Sequence, residues 1–266
     1  MKVRKASMWL NILRFISANP ARVKVLTSKV AKRATGENDR GSPENDAWIA
    51  ANTISAEKLA NSLDPGLWKE ACEFGRSLRE YATTILDDIP YDLGGGGHDV
   101  FLYWLTRYAR PQVIIETGVA AGWSSSAFLA GIAKNGAGTL FSSDFPYFRL
   151  PEPERFIGVL VKEELRRNWI LEIESDRVNL PRILDRVDEV DLFHYDSDKM
   201  ASGREFAISL VRKKLSPTGH IIMDDIRNDD WFRTYVTQHA LPHIVIDGRY
   251  GFIGPLALSL VRPASV

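Results

Sequence analysis

Acidic residues follow four short apolar runs of this sequence, each at the point where the run ends. They are Glu116, Asp144, Asp196 and the pair Asp224–Asp225. In an open α/β sheet the ligand crevice lies outside the carboxyl ends of the strands, so acids at neighbouring strand ends converge on one cleft. One such Asp has an ordinary explanation, because Asp is common in turns. Four at successive strand ends predict a shared functional cleft.

The first acid opens the most specific motif, the segment Glu116-Thr117-Gly118-Val119-Ala120-Ala121-Gly122, here called the glycine loop. It lies between a predicted strand and a predicted helix. Its small residues let the backbone approach a ligand, and the amides at the start of the helix favour polar or anionic groups. A phosphate-binding loop would need glycines at other spacings, or a following Gly-Lys-Ser/Thr. The motif therefore predicts a ligand site of another kind.

Strands and helices must alternate to position these residues, and from about residue 100 they do. The sequence predicts strands at 113–115, 139–143, 170–173, 191–195 and 220–223, helices at 101–108, 124–134, 154–168, 180–186, 204–215 and 231–239, and two closing strands at 243–246 and 252–260. The strands lack a polar face, as expected when helices cover both sides of a parallel sheet. The pattern predicts an α/β fold: a doubly wound, mostly parallel seven-stranded sheet with an antiparallel C-terminal hairpin at its edge.

Composition divides the chain into three parts. We predict a basic helical arm and linker at 1–46, a helical N-terminal extension at 47–98 and the sheet domain at 99–266. Residues 1–36 hold nine Lys or Arg and no acid, which leaves 25 basic against 34 acidic residues in the rest. An acidic body argues against nucleic-acid binding. The arm could contact an anionic membrane, a partner or the body's own acidic surface, or be an appendage without a special role.

Cysteine content and hydropathy indicate where the protein works. Cys72 is the single cysteine, so an intrachain disulfide framework and a cysteine-based zinc cluster are excluded. No run approaches the roughly 18–20 apolar residues that span a bilayer. We expect a cytoplasmic protein, although the acid-free arm also has the composition of an organelle transit peptide. Apolar residues at helical spacing in 1–33 and 56–86 are compatible with a homodimer.

Read together, these positions resemble the class I S-adenosylmethionine (SAM) methyltransferases, with Ala120 in place of the middle glycine of their loop. The similarity covers about 95–262 and is closest to the small-molecule O-methyltransferase branch, which includes macrolide and antibiotic sugar methyltransferases. It implies that SAM contacts a set of residues spread over four strand ends, with Asp144 on the ribose hydroxyls, Ser175 and Asp176 near the adenine, and Asp196 beside the methyl-transfer centre. The cofactor-binding residues implied are Glu116, Gly118, Ala120, Gly122, Asp144, Ser175, Asp176 and Asp196.

The resemblance also implies a magnesium site on Asp196, Asp224 and Asp225. Three carboxylates with room for water and substrate oxygens suit Mg²⁺. A bound dication would lower the pKa of an acceptor hydroxyl and orient its oxygen. Many class I methyltransferases use an Asp here without a metal, so both forms of the site stay open.

Two residues after Asp196 are the candidate catalytic groups. Many relatives carry His where Lys199 stands, which argues against a histidine base. Nearby carboxylates would raise the pKa of Lys199, so a charged, substrate-orienting lysine is expected, and Asp198 could accept the proton. His194, one residue before the strand end, is expected to be a structural sheet histidine.

We therefore predict a SAM-dependent O-methyltransferase, assisted by Mg²⁺, that acts on a hydroxyl of a small molecule such as a sugar or a glycosylated metabolite. One alternative is an inactive methyltransferase-like scaffold whose basic arm recruits a partner or membrane. Another is an NAD-dependent Rossmann oxidoreductase, which would want Gly-x-Gly-x-x-Gly and no antiparallel hairpin.

Overall fold

Eight strands form one sheet in this computed structural model, which describes residues 5–20, 22–23, 25–27 and 41–257. The strands are β1 (Thr53–Ile54), β2 (Val113–Thr117), β3 (Thr139–Asp144), β4 (Trp169–Ile173), β5 (Val190–Tyr195), β6 (Leu215–Met223), β7 (His243–Ile246) and β8 (Tyr250–Ile253). Their order across the sheet is β1-β7-β8-β6-β5-β2-β3-β4. Every neighbouring pair is parallel except the two pairs that β8 makes with β6 and β7.

Helices connect the strands and cover both faces of the sheet. They are α1 (Lys5–Ala18), α2 (Pro43–Asn52), α3 (Ala56–Leu63), α4 (Pro65–Leu86), α5 (Asp99–Ala109), α6 (Trp123–Asn135), α7 (Asp176–Leu184), α8 (Ala201–Val211) and α9 (Trp231–Gln238). Successive residues of a strand face opposite sides, so the buried Ile114 of β2 packs with α5 and α6, while Ile115 packs with α7, α8 and α9. Within the described part, no helix is long and apolar enough to cross a membrane.

The predicted doubly wound, mostly parallel α/β sheet is confirmed, with three corrections to its strands. The sheet has eight strands, not seven, because Thr53 and Ile54 of the N-terminal extension pair with Val245 and Ile246 of β7. The antiparallel strand β8 lies between β6 and β7 and not at the sheet edge. The predicted last strand, 252–260, is too long, since β8 ends at Ile253 and residues 255–257 are helical, while residues 258–260 lie outside the described residues.

The segment 154–168 was predicted as one helix, and this prediction is wrong. Two 3₁₀ turns, Pro153–Phe156 and Glu163–Asn168, replace it. Between them Gly158 has a φ of +66°, and its amide bonds to the carbonyl of Ala120 at 2.9 Å, as the Leu160 amide does to that of Ala121. These two amides bond to carbonyls of the glycine loop, and so they do not make the hydrogen bonds of a helix. The predicted helix 204–215 is also too long, since α8 ends at Val211 and Leu215 begins β6.

The N-terminal segments pack on the sheet domain. Leu59 and Ala71 of the extension share one core with Phe101 and Trp104 of α5, so the core continues across the predicted boundary at residue 98. In the arm, Phe15 packs edge-on against the Phe145 ring, 5.5 Å between centroids.

The arm also makes ionic contacts with the body. Arg22 pairs with Glu154 at 3.0 Å and with Glu174 at 3.2 Å. The described part of the arm therefore contacts the body's own acidic surface. Helix α1 leaves Trp9, Leu10 and Leu13 exposed on its other side.

Candidate active site

The strand-end acids lie at the switch point of the sheet. From β2 the chain first runs outward through β3 and β4, then crosses to β5 and β6 on the other side, which is where an open α/β sheet forms its ligand crevice. The amides of Gly118, Asp196 and Asp224 each bond, at 2.9 Å, to the carbonyl at the end of an adjacent strand. These bonds continue the sheet ladder past the strand ends, so they bring the acids to one rim as predicted.

Close backbone approaches explain the glycines of the loop. Gly118 has a φ of +85°, and a Cβ there would lie 2.0 Å from the carbonyl oxygen of Asp196. Gly122 has a φ of +96° and would place a Cβ 2.8 Å from the Cα of Gly158. Ala120, where the resemblance expects glycine, also has a positive φ, +49°. Alanine tolerates this conformation at a cost of about 1 kcal/mol. Ala120 therefore adopts a backbone conformation that usually favours glycine.

The side chain of Glu116 lies inside the protein and stabilises the glycine loop through hydrogen bonds. Its carboxylate is fully buried and accepts hydrogen bonds from three hydroxyls: those of Ser124, Ser125 at 2.6 Å and Ser142 at 2.8 Å. The Nδ1 atom of His194 lies 3.8 Å away. The cofactor contact expected of Glu116 stays a prediction. Its buried carboxylate ties β2, β3 and the start of α6 together and so positions the glycine loop.

Asp144 ends β3 at the rim and contacts the glycine loop directly. One carboxylate oxygen accepts from the Ala120 amide at 2.8 Å and the other from the Phe145 amide at 2.7 Å. Burial raises the pKa of Asp144 to about 7, against the two amides, which lower it. Each carboxylate oxygen has two lone pairs, so both can accept a further donor, such as a ribose hydroxyl.

We expect SAM to bind more tightly as the pH rises from 6 to 8. The Asp144 carboxyl is mostly protonated below its raised pKa of about 7, and the ionised form accepts hydroxyl donors better. If binding requires the ionised form, the dissociation constant should fall about tenfold over this range. Calorimetry at several pH values measures it. An Asp144→Asn variant shares any titration of SAM itself, so an equally steep profile in that variant would contradict a role for Asp144.

Ser175 and Asp176 lie at the start of α7, beside the rim. The carboxylate of Asp176 accepts from the hydroxyls of Ser143 at 2.7 Å and Ser197 at 2.5 Å. It therefore links the end of β3 to the loop after β5. The adenine contact expected of Ser175 and Asp176 stays a prediction.

Three carboxylates form the acidic cluster, which we define as Asp196, Asp224 and Asp225. Each offers an oxygen within 4.8 Å of the others, so the predicted gathering is confirmed. Asp224 is buried, while Asp196 and Asp225 are partly exposed. Asp225 has a φ of +53°, a conformation that costs energy outside glycine and is common where a site is held in place by its surroundings.

Two side-chain cations already pair with this cluster. The ammonium of Lys199 contacts Asp196 and lies 3.0 Å from Asp225. The guanidinium of Arg249 binds both oxygens of Asp224, at 2.7 and 2.9 Å, and lies 3.1 Å from Asp225. Because every member of the cluster has a cationic partner, the arrangement does not fit a magnesium site as it stands.

The candidate catalytic residues differ in their surroundings. Burial by itself would lower the pKa of Lys199, yet Asp196, Asp224 and Asp225 together raise it, as expected for a charged, orienting lysine. Asp198 accepts from the Met200 amide at 3.2 Å, and its role as the base stays a prediction. His194 is buried in the sheet against Phe128.

Sequence reasoning missed two arginines at this site. Arg249 is the last residue of the turn between β7 and β8 and reaches the acidic cluster from there. Arg204 of α8 is fully buried and donates to the carbonyls of Asp224 and Asp225. The Asp247-Gly248 turn indicates a hairpin, but nothing in the sequence shows which strands it lies beside.

A comparison with protein families agrees with this geometry. Residues 115–226 match the family model described as a methyltransferase domain. The matched segment includes the glycine loop, Asp144 and the acidic cluster. The part of the chain that carries the predicted site is thus similar to a methyltransferase domain. No curated protein matches the chain.

Two solved O-methyltransferases are similar to this chain. The O-methyltransferase TomG from Streptomyces achromogenes, involved in tomaymycin synthesis and solved with SAM, has a TM-score of 0.50 at 18% identity, over 66% of this chain and 87% of its own. An O-methyltransferase from Bacillus cereus, solved with SAH, has a TM-score of 0.48 at 17% identity, over 77% of this chain and 97% of its own. At these identities the likeness concerns the fold alone.

Proposed function

We propose that this methyltransferase transfers the SAM methyl group to a hydroxyl oxygen of a small molecule. The observation that carries the proposal is the position of the acidic cluster and Lys199 at the same rim as the glycine loop and Asp144. A hydroxyl acceptor must lose a proton as its oxygen attacks. At this rim, carboxylates can take that proton and a neighbouring cation can stabilise the oxygen. Such groups suit a hydroxyl acceptor better than an amine, whose nitrogen is already nucleophilic.

In the proposed reaction Asp144 accepts from the ribose hydroxyls, and the Gly118–Gly122 backbone lies along the rest of SAM. The acceptor oxygen attacks the methyl carbon in line with its bond to sulfur. The new C–O bond forms as the C–S bond breaks, and S-adenosylhomocysteine leaves with the electron pair on sulfur. The hydroxyl proton passes to a carboxylate at the exit of β5, for which Asp196 and Asp198 are the candidates. Positioning supplies much of the acceleration, since the sulfonium is already reactive.

We propose that the acceptor is a sugar or a sugar-bearing metabolite, the class that the sequence resemblance implies. A rim of carboxylates with Lys199 and Arg249 offers both acceptors and donors to vicinal hydroxyls, which supports this class. The proposed reaction does not use magnesium, because Lys199 and Arg249 pair with the carboxylates that would hold the ion. A homodimer, a cytoplasmic location and a membrane or partner contact of the basic arm stay predictions.

The proposal is tested with methyl-labelled SAM and a panel of sugars, nucleotide sugars, phenols and amines, with calorimetry of SAM and NAD alongside. We expect SAM binding, no NAD binding and label on a hydroxylated compound. Label on an amine in preference to any hydroxyl would contradict O-methylation. SAM binding with no transfer to any compound, including those of a cell extract, would favour the inactive scaffold.

Replacing both Asp224 and Asp225 by Asn should abolish turnover and leave SAM binding nearly unchanged. The two carboxylates hold Arg249 and Lys199, whereas Asp144 and the glycine loop do not contact these two side chains. We expect turnover to fall at least about 100-fold and the SAM dissociation constant to change less than about threefold. Asp188→Asn, on an exposed turn, is the matched control. A parallel loss of SAM binding would show that the cluster holds the cofactor.

A further inference from the structure

We infer that Lys199 and Arg249 together occupy the cation position of the acidic cluster, so that methyl transfer uses two side-chain cations and no divalent metal. The inference rests on the proposed function for its catalytic meaning. Whether these two residues exclude a metal ion can be measured by metal binding alone, without any turnover.

Lys199 bridges carboxylates from two different strand ends. It lies three residues after Asp196 and contacts that side chain, while its Nζ atom is 3.0 Å from Asp225 at the end of β6. An ammonium that touches both carboxylates stands between them, where a shared metal ion would have to stand. Magnesium needs its oxygen ligands at about 2.0–2.1 Å. It could not bind these oxygens while the ammonium remains, because the two cations would also repel each other.

Arg249 closes the other side of the cluster. Its guanidinium binds Asp224 through two parallel hydrogen bonds, the geometry in which Arg recognises a carboxylate most specifically. The Arg249 carbonyl accepts from the Ile226 amide at 3.2 Å, so the turn between β7 and β8 is fixed beside the loop that carries Asp224 and Asp225. The Arg249 side chain is about half exposed, but its backbone is held beside the cluster and its guanidinium binds Asp224.

Lys199 and Arg249 neutralise most of the negative charge of the acidic cluster. Five of its six carboxylate oxygens have Lys199 or Arg249 as a partner. Three negative and two positive side chains leave a net charge of about −1, which offers a dication little of the attraction that three unpaired carboxylates would. The same two cations can stabilise negative charge that develops on an acceptor oxygen, as fixed donors do in other active sites.

Metal binding by the full chain tests the inference, with Mn²⁺ as an EPR-visible probe in place of Mg²⁺. We compare the wild type with Lys199→Met and Arg249→Met. Arg155→Met is the matched control, because Arg155 pairs with Glu152 on the surface. The wild type and the control should bind Mn²⁺ with dissociation constants above about 1 mM, and each cluster variant should bind it at least about tenfold more tightly. SAM calorimetry reports whether each variant is folded.

Two results would overturn the inference. One is a wild type that binds Mn²⁺ at micromolar concentrations, since Lys199 and Arg249 would then make way for the metal. The other is folded variants that gain no affinity, since the two cations would then not be what excludes it. If neither variant folds, the wild-type titration alone decides. Wild-type transfer, once an acceptor is found, should be unchanged in EDTA. A protein that binds neither SAM nor Mn²⁺ would instead contradict the proposed function and leave the metal exclusion supported.

Discussion

Arg204→Met is expected to lower the free energy of unfolding by about 3–5 kcal/mol. The Arg204 guanidinium is fully buried on α8, lies 3.2 Å from the carboxylate of the buried Asp229 and donates to two carbonyls of the acidic cluster, at 3.1 and 3.0 Å. Methionine fills a similar volume but carries no charge. The change would remove the cationic partner of the buried Asp229 carboxylate and a hydrogen-bond donor to both carbonyls, and losing one member of a buried ion pair is among the costliest defects a single substitution creates.

Urea unfolding followed by circular dichroism measures this loss. Arg212→Met is the control, because Arg212 lies just after the same helix, is exposed and donates to the Tyr235 hydroxyl at 2.9 Å. The control should cost less than about 1 kcal/mol. Equal losses in the two variants would mean that the burial of Arg204 carries no special energetic weight.

Gly118→Ala is expected to weaken SAM binding at least about 100-fold. The new Cβ would lie 2.0 Å from the carbonyl oxygen of Asp196, and the residue would have to keep a φ of +85°. Backbone cannot move aside as the end of a side chain can, so the glycine loop and the end of β5 must separate. This separation displaces the ligand-facing loop together with Asp196. A shift of about 1 Å in an active site can lower a rate about 100-fold, and we expect a loss of the same order in SAM affinity.

Gly136→Ala separates the steric effect from the conformational one. Gly136 also has a positive φ, +76°, but a Cβ there meets nothing within 4 Å. The control should therefore lose only about 1 kcal/mol of stability and no SAM affinity. Calorimetry of SAM binding compares the two variants. Similar affinities in both would show that the approach of Gly118 to Asp196 does not matter for the cofactor.

The convergence of Asp144, Asp196, Asp224 and Asp225 could be predicted because their position follows from backbone alone. Parallel strands place their carboxyl ends at one edge, whatever the side chains do. The direction in which a strand-end side chain points is a different question. Glu116 faces inward because three serine hydroxyls from two other elements receive it, and no spacing in the sequence indicates that.

The residues that were missed depend on long-range packing. Arg249 reaches the acidic cluster only because β8 inserts between β6 and β7. A hairpin at the edge, as predicted, would have put this arginine elsewhere. The segment 154–168 has helical spacing, yet the amides of Gly158 and Leu160 bond to the glycine loop. There the hydrogen bonds to a segment more than thirty residues away, and not the local periodicity, determine the backbone conformation.

The two-residue strand β1 has a consequence for the sheet edge. Thr53 and Ile54 pair with Val245 and Ile246, so the second half of β7 does not present unpaired amides and carbonyls at that edge of the sheet. Open edges of this kind recruit strands from other molecules, and proteins blunt them with short or covered strands. The N-terminal extension thus shortens the open edge of the sheet, and we expect a truncated protein starting after residue 54 to expose the whole of β7 to intermolecular pairing.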